Sequence, residues 1–248
     1  MKGPELFVQH ITALVPQVAE SQAAEVRKAA DLVTKALISD GIIQAFGSGH
    51  SEAIAMEIAG RAGGLVPSNR LALRDLVLLG GAPTEILAAD LERDPSVAQQ
   101  LYDLSTTAPW DVFVIISSSG VNGSTVELAD LVKNRGHDLI AITSVAHSTQ
   151  MTSRHPSGRK LMDIADVVLD NGAPYGDAVI PLAGGGSYGA VSTITSALLA
   201  QMLVEQVVGD LIAAGITPPV YLSSNVTGGD KHNNALEARY SGRIRRTA

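Results

Sequence analysis

Residues 111–124 read DVFVIISSSGVNGS, and this stretch decides the fold. The five consecutive apolar residues Val112–Ile116 are typical of a strand that is covered on both faces, as in a parallel sheet. After the serine-rich turn, Ser124 with Glu127 three residues later has the pattern of a capping box, and Gly136 is a natural C-terminal stop. The stretch therefore predicts a strand, a polar turn and a helix.

The same order recurs along the chain. Residues 42–46 form a short apolar run before a glycine-rich turn and a helix predicted from about Glu52 to Arg61. Residues 139–142 and 167–169 are further predicted strands. Because strands that alternate with helices imply right-handed crossovers and a parallel sheet, we predict an α/β fold, a three-layer α/β/α sandwich.

Helical segments are predicted at both ends of this α/β unit. Apolar residues at helical spacing before Asp40 predict an N-terminal helical pair within residues 1–40. The most apolar stretch, residues 196–208, contains a glutamate and two glutamines, which favours a core or interface helix over a membrane span. We expect a single domain over residues 1–248, in which residues 184–248 form a long helix and an irregular tail.

Composition excludes several classes of protein. The 18 Lys and Arg against 25 Asp and Glu give a formal net charge of -7, which disfavours general nucleic-acid binding. Charged residues make up only 17% and hydrophobic residues 46%, a balance that favours a buried apolar interface between subunits. The chain has no cysteine, and its six histidines are dispersed, so we expect no metal site. Gln9, His10 and Thr12 interrupt any apolar N-terminal run, so we expect a cytoplasmic protein.

Two polar turns follow predicted strands, Gly47-Ser48-Gly49-His50-Ser51 and residues 117–124. The carboxyl ends of parallel strands meet at one edge of a sheet, where the amides at helix N-termini attract anions. Glu52 stands where a dinucleotide fingerprint needs glycine, and no Gly-Lys-Ser/Thr follows, so we expect no cofactor. Hydroxyls and amides in both turns instead predict a phosphate site. Helix capping is the alternative role of Ser124, and solvation of the loop is the alternative for Ser117 and Ser119.

The paired turns resemble the phosphosugar loops of the sugar isomerase (SIS) domain family, and the resemblance covers roughly residues 30–210. It implies a five-stranded parallel sheet, a phosphorylated sugar as ligand, and a homodimer or homotetramer with active sites shared between subunits. The substrate-binding residues would be Ser48, His50, Ser51, Arg61, Ser117, Ser118, Ser119, Asn122 and Ser124.

Within the family, the phosphoheptose-isomerase-like members are the most similar. Residues 61–67, 174–178 and 228–233 resemble a small bacterial subgroup that includes an actinobacterial N-acetylglucosamine-6-phosphate dehydratase. The chain also departs from the family's patterns. Arg61 stands where phosphoheptose isomerases have a catalytic glutamate, and Asn122 where many SIS domains have serine or threonine. The isomerase mechanism therefore does not transfer directly.

Chemistry next to a carbonyl of an open-chain sugar phosphate needs a carboxylate base. Glu57 is the leading candidate, because it lies six residues after Ser51, about 9 Å along a helix. An ion pair with Arg61 is the alternative role of Glu57, and Arg61 is itself a candidate ligand for substrate oxygen or phosphate. Glu92 is the second candidate base, and it lies where related proteins place residues that face the partner subunit. Its alternative is a solvated surface position.

Histidines supply the candidate acids. We expect His232 to assist proton transfer, oriented by Asp230 or Asn233, with a solvated loop position as the alternative. His50 is expected either to contact the sugar ring or to serve helix entry. The run Arg154, His155, Arg159 and Lys160 either attracts phosphate or is a solvated charged segment.

The sequence and the resemblance lead to one hypothesis with two alternatives. The hypothesis is a lyase that dehydrates N-acetylglucosamine 6-phosphate, in which Glu57 or Glu92 removes the carbon-2 proton and His232 assists loss of the carbon-3 hydroxyl. The alternatives are an aldose-ketose isomerase and a non-catalytic sugar-phosphate sensor. No helix-turn-helix for DNA binding is evident in the sequence, and the basic tail at residues 243–246 is too short for that role.

Overall fold

The computed structural model describes residues 4–246, so residues 1–3 and 247–248 lie outside the described part of the single domain predicted over 1–248. Five strands form one sheet: β1 Ile43–Gly47, β2 Ser68–Leu71, β3 Val112–Ile116, β4 Asp138–Thr143 and β5 Val167–Asp170. Their order is β2-β1-β3-β4-β5, and every neighbouring pair is parallel. The predicted α/β fold with a five-stranded parallel sheet is confirmed.

Helices cover both faces of this sheet. In chain order they are α1 Pro4–Ile38, α2 Glu52–Ile58, α3 Asp75–Leu78, α4 Val97–Leu104, α5 Gly123–Asn134, α6 Val145–Gln150, α7 Leu161–Ile164, α8 Ser192–Ala213 and α9 Gly229–Ala238. Helices α1, α2 and α8 bury their apolar sides in one core cluster, and α3, α4, α5 and α7 bury theirs in a second.

Strand β3 supplies both clusters. Val112, Val114 and Ile116 belong to the first cluster, and Phe113 and Ile115 to the second. Successive side chains of a strand point to opposite faces of the sheet, so an uninterrupted apolar run is what a strand between two helical layers requires. This is why the sequence identified β3 clearly.

The predicted N-terminal helical pair is wrong, because the structure has one helix, α1, of 35 residues. The two apolar stripes lie on the same face, since Val18 and Val26 are eight residues, or about two turns, apart. Gln22 lies between them, and its Oε1 accepts a hydrogen bond from the backbone N–H of Asp170 at 2.9 Å. A polar residue in the apolar stripe thus contacts the end of β5 and does not mark a break.

Other segments also differ from the prediction. Helix α2 ends at Ile58 rather than Arg61 because Ala59 adopts an extended conformation, with φ -111° and ψ 124°. The C-terminal part is more ordered than an irregular tail, since it contains α9. An antiparallel hairpin of β6 (Ala178–Pro181) and β7 (Ser187–Ala190), absent from the predicted elements, precedes α8.

Helix α8 is the one helix within residues 4–246 that is long and apolar enough to cross a membrane by length and composition. Leu199, Leu203 and Val207 are buried in the first core cluster, which also contains residues of α1 and α2. The prediction of a core helix in this region is confirmed.

A buried polar cluster lies at the opposite end of β3 from the serine turn. The side chain of Asp111 accepts hydrogen bonds from the backbone N–H of Ile42 at 2.9 Å and from Arg243 Nη2 at 2.6 Å. His137 bonds to the Asp111 carbonyl through Nδ1 at 3.0 Å and to the Tyr102 hydroxyl through Nε2 at 2.9 Å. Burial lowers the pKa of His137 below its usual 6.5, the carbonyl and charge of Asp111 acting in the opposite direction.

The lowered pKa of His137 predicts a loss of stability in acid. The unfolded chain takes up the proton of this histidine at a higher pH than the folded chain does. As the pH falls through about 6.5, the free energy of unfolding therefore falls. Urea denaturation between pH 8 and pH 5 should show this slope in the wild type and a smaller slope in His137→Gln. Equal slopes in the two proteins would contradict the assignment.

Candidate functional site

The two polar turns start side by side. Gly47, the last residue of β1, pairs with Ile116, the last residue of β3, so Ser48 and Ser117 leave adjacent strands at the same level. The chain order of the strands reverses direction between β1 and β3, which makes this the topological switch point of the sheet. In open parallel sheets, ligands bind in the crevice at such a point.

The first turn is a tight connection from β1 to α2. A Cβ on Gly47 would overlap the carbonyl oxygen of Ser51. The turn therefore folds back so closely on the strand that only glycine fits at this position. Residues 49–51 form a short 3-10 turn in which Gly49 has a φ of 54°. Ser48, His50 and Ser51 all line the cleft at the sheet edge.

The second turn is held from the neighbouring strands. Thr143 Oγ1, at the end of β4, donates to the Ser117 carbonyl at 2.7 Å. The Nδ2 of Asn171, just after β5, lies 3.4 Å from Ser118 Oγ and 3.1 Å from Ser196 Oγ on α8. Ser117, Ser118, Ser119 and Asn122 line the cleft. Within residues 4–246, the backbone N–H groups of Ser118 and Ser119 donate to no protein acceptor, so both are available to a ligand.

Ser124 does not cap α5, which corrects the capping-box prediction. Asn122 occupies the N-cap position without a side-chain cap bond, and Ser124 Oγ instead donates to the Glu92 carbonyl at 2.8 Å. Ser124 is fully buried and contacts the short turn at Leu91–Arg93. It therefore attaches that turn to the start of α5.

Glu92 lies in the cleft, which disagrees with the solvated surface position considered from the sequence. Its Oε2 accepts a hydrogen bond from Ser48 Oγ at 2.9 Å. The backbone next to it packs so tightly on α5 that a Cβ on Gly123 would overlap the carbonyl oxygen of Arg93. Glu92 is thus placed by one contact with the first turn and two with the helix that follows the second.

The cleft has a volume of about 580 Å³. Two carboxylates, Glu92 and Asp177, and two histidines, His50 and His147, are the titratable side chains that line it, and neither lysine nor arginine is among the described residues of its wall. Neutral donors, that is hydroxyls and backbone amides, make up the rest of its polar surface. Such a wall can hold an anion through dipoles, as helix N-termini do.

Glu57 and Arg61 lie outside this cleft. Arg61 Nη1 forms an ion pair with Glu57, the alternative weighed from their spacing, and Glu57 Oε1 also accepts from Gln201 Nε2 of α8 at 2.6 Å. Both residues are near a second groove, whose wall includes Gly63 and Gln201. Within one chain, the structure therefore does not bring them to the serine turns.

His232 also lies away from the turns, and it is on helix α9 rather than on a loop. Its Nε2 lies 3.0 Å from the Val220 carbonyl. The neighbouring Asn233 makes two hydrogen bonds with the backbone of Leu222, both at 2.9 Å. Its Oδ1 accepts from the Leu222 N–H and its Nδ2 donates to the Leu222 carbonyl, so Asn233 does not orient His232.

Two members of the basic run at residues 154–160 contact carboxylates of α5. His155 Nε2 lies 2.7 Å from Glu127, and Arg159 lies 2.5 Å from Asp130. Arg154 is the member closest to the cleft, because its Nη1 donates to Asn122 Oδ1 at 3.0 Å. Among residues 4–246, no three His, Asp or Glu side chains cluster as a metal site.

Sequence reasoning missed the wall of the cleft that α6, the hairpin and α8 provide. Asp177 accepts from the backbone N–H of Ser192 at 2.7 Å and from its hydroxyl at 2.7 Å, and so anchors the start of α8 at the cleft. His147, Ser192 and Ser196 line the same wall. Residues 174–178 carry part of the resemblance to the bacterial subgroup, but the sequence does not show that Gly176 and Asp177 line the cleft.

The comparisons with known proteins identify the family. The SIS domain family matches residues 6–144. The chain belongs to the SIS domain family. A UPF0309 protein of Listeria monocytogenes is 38% identical over 239 residues, covering 96% of this chain and 97% of the relative.

Solved structures have the same fold. A phosphoheptose isomerase from Neisseria gonorrhoeae superposes with a TM-score of 0.54 at 21% identity, covering 82% of this chain and 95% of that one. The Vibrio vulnificus NanR protein, described as complexed with ManNAc-6P, has a TM-score of 0.52 at 15% identity and covers 85% of this chain and 64% of that one. At these identities the match concerns the fold.

The close packing at Gly123 predicts that Gly123→Ala moves Glu92. The added methyl group would push the Arg93 carbonyl away, lowering the free energy of unfolding by about 1–3 kcal/mol and loosening residues 90–94. Hydrogen exchange should become faster in that segment. Gly184→Ala, where the new Cβ meets nothing within 4 Å, is the matched control and should change neither quantity. Unchanged exchange at residues 90–94 in Gly123→Ala would show that the contact does not place Glu92.

Proposed function

We propose that this protein is a sugar-phosphate lyase that dehydrates N-acetylglucosamine 6-phosphate. One observation carries the proposal: two serine turns begin at paired positions of adjacent strands and share a cleft with a carboxylate that is hydrogen-bonded to the first of them. An anion-binding wall next to a base is the arrangement that proton abstraction from a phosphorylated sugar requires.

The phosphate is proposed to bind at the second turn. The free N–H groups of Ser118 and Ser119 and the hydroxyl of Ser119 supply donors, and the N-terminus of α5, a 12-residue helix, adds its dipole. Ser48 is the less suitable donor, because its single proton is directed to Glu92. The sugar would then extend from the second turn towards the first.

Glu92 is the proposed base. The other carboxylate of the cleft, Asp177, already accepts three hydrogen bonds from Val191 and Ser192. From residues 4–246, Glu92 accepts only one, from Ser48. Glu57, the leading candidate from the sequence, is occupied by Arg61 and Gln201. Glu92 is therefore the carboxylate best placed to take a proton from substrate in this cleft.

The substrate decides which reaction follows. When Glu92 takes the carbon-2 proton, the C–H electron pair moves towards carbon-1 and negative charge develops on the carbonyl oxygen. With an acetamido group on carbon-2, the electrons then return to form the carbon-2 to carbon-3 double bond. The carbon-3 hydroxyl takes back the proton that Glu92 removed and leaves as water. The product is a conjugated aldehyde. The sequence resemblance to the dehydratase subgroup supports this substrate, and the NanR fold neighbour is described with a phosphorylated 2-acetamido sugar.

An aldose-ketose isomerase is the second candidate. The fold shared with a phosphoheptose isomerase favours it, and the same base would serve, because a hydroxyl on carbon-2 allows an enediol that is reprotonated at carbon-1. Formation of a ketose without dehydration would identify this reaction.

We propose a homodimer or homotetramer with shared active sites in the cytoplasm. The second groove, lined by Val204, Val208 and Ile212 of α8 beside Gln201, is an apolar surface suited to an interface. Glu57 and Arg61 would then lie beside that interface.

Exchange at carbon-2 tests the proposal. With N-acetylglucosamine 6-phosphate deuterated at carbon-2, the wild type should release the label and produce the absorbance of a conjugated aldehyde. Glu92→Gln should slow release by about 10²–10⁴-fold, the range for a general base. Glu57→Gln, which keeps a polar partner for Gln201, should release the label at nearly the wild-type rate. The base assignment is wrong if the Glu57 variant loses exchange and the Glu92 variant keeps it, and the enzyme proposal is wrong if the wild type releases label from no sugar phosphate.

A further inference from the structure

His147 is a titratable residue of the cleft to which the proposed reaction assigns no role. It lies on α6, directly after β4, and its side chain is half-buried in the wall that also contains Gly176 and Asp177. The question is which of its two ring nitrogens a ligand would meet, and in which protonation state.

One hydrogen bond settles the state of the neutral ring. The backbone N–H of Gly176 donates to His147 Nδ1 at 3.1 Å. Because a backbone N–H can only donate, Nδ1 must be the acceptor, and the proton of the neutral imidazole must be on Nε2. Within residues 4–246, Nε2 has no hydrogen-bond partner. His147 therefore offers one N–H donor to whatever occupies the cleft.

Both halves of this contact are fixed by the fold. Ser144 Oγ caps α6 by accepting from the His147 N–H at 3.0 Å, and it donates to the Ala173 carbonyl at 2.6 Å. Asp177 N–H closes the turn that contains Gly176 by donating to the Pro174 carbonyl at 2.9 Å. The Tyr175 ring lies 5.2 Å from the imidazole, centroid to centroid. Histidine and backbone donor are thus held by the same two short segments.

We propose that His147 stabilises the oxygen on carbon-1 of the substrate, which rests on the proposed function. As Glu92 removes the carbon-2 proton, the carbonyl oxygen gains negative charge and accepts a hydrogen bond from Nε2–H. The imidazole remains neutral and transfers no proton. A neutral histidine that polarises a carbonyl is an established use of this side chain, and a preorganised donor aimed at developing charge is a large catalytic term. The cleft wall supplies no lysine or arginine among the described residues to do this instead.

The ring state is testable in the free protein. In the neutral form of its ring, His147 of a 15N-labelled sample should show a protonated Nε2 and an unprotonated Nδ1. The opposite tautomer would overturn the inference, whatever reaction the protein catalyses.

Binding tests the role without requiring turnover. The probe is 6-phosphogluconate, an open-chain sugar acid that places a carboxylate at carbon-1, and inorganic phosphate is the reference ligand. His147→Ala should weaken 6-phosphogluconate by about 10- to 100-fold, the effect of losing a hydrogen bond to a charged group, and leave phosphate unchanged. His147→Gln, which keeps an N–H donor, should recover part of the loss. His10→Gln, on α1 and outside the cleft, is the control and should bind both ligands like the wild type.

The outcomes separate the two claims. If His147→Ala binds 6-phosphogluconate as tightly as the wild type does, the inference is wrong and the phosphate site stands. If the wild type binds neither ligand, both the proposed function and the role of His147 are wrong. If the wild type is active, His147→Ala should lower kcat for carbon-2 exchange by about 10²–10³-fold, the usual effect of removing one oxyanion donor. The KM of this variant should stay nearly unchanged. A change in KM alone would contradict a donor that acts on developing charge.

Discussion

The pairing of β1 with β3 is the constraint on which the rest of the site depends. Gly47 lies opposite Ile116, and the next residue of each strand begins a serine turn. The register is fixed because β3 has apolar side chains on both faces, and a slip by one residue would exchange the two sets between the two core clusters. Burial of the sheet therefore determines how far apart the two turns lie. The crevice between them follows from the strand order, which reverses at this point.

The proposed anion site of the cleft has no lysine or arginine from the described part of its own chain. Its wall contains hydroxyls, backbone amides and a helix N-terminus, together with the acidic side chains Glu92 and Asp177. A lysine or arginine next to Glu92 would stabilise its negative charge and make it a weaker base. Neutral donors avoid this effect, because the electric field of a dipole decreases with distance faster than the field of a charge does. The arrangement thus allows one small cleft to hold a phosphate at one end and keep a carboxylate available at the other.

Much of the fold, and both turns, could be predicted from local sequence. Short apolar runs identified β1, β3, β4 and β5, and the run of β3 is uninterrupted because this strand is buried on both faces. The failures were of two physical kinds. A glutamine interrupts the apolar stripe of α1 because it bonds to the backbone at the end of β5, and no local pattern records such a contact. Likewise Ser124, which has every local feature of a cap, donates to a carbonyl 32 residues away.

Local sequence alone predicts those site residues that directly follow the end of a strand. Ser48 and Ser51 follow directly from a strand end. Glu92 is only the second candidate base in the sequence, and a bond from Ser48 across 44 residues places it in the cleft. His147 has no such signal, because its contact is with a backbone amide 29 residues later. The account's central claim is that both turns bind one sugar-phosphate molecule, with its phosphate at the second turn and its sugar towards the first. The most direct test is an NMR titration of the backbone amides with a sugar phosphate. We expect the amides of residues 49–51 and 118–122 to shift together along one saturation curve. Shifts confined to one turn, or two curves with different dissociation constants, would contradict it.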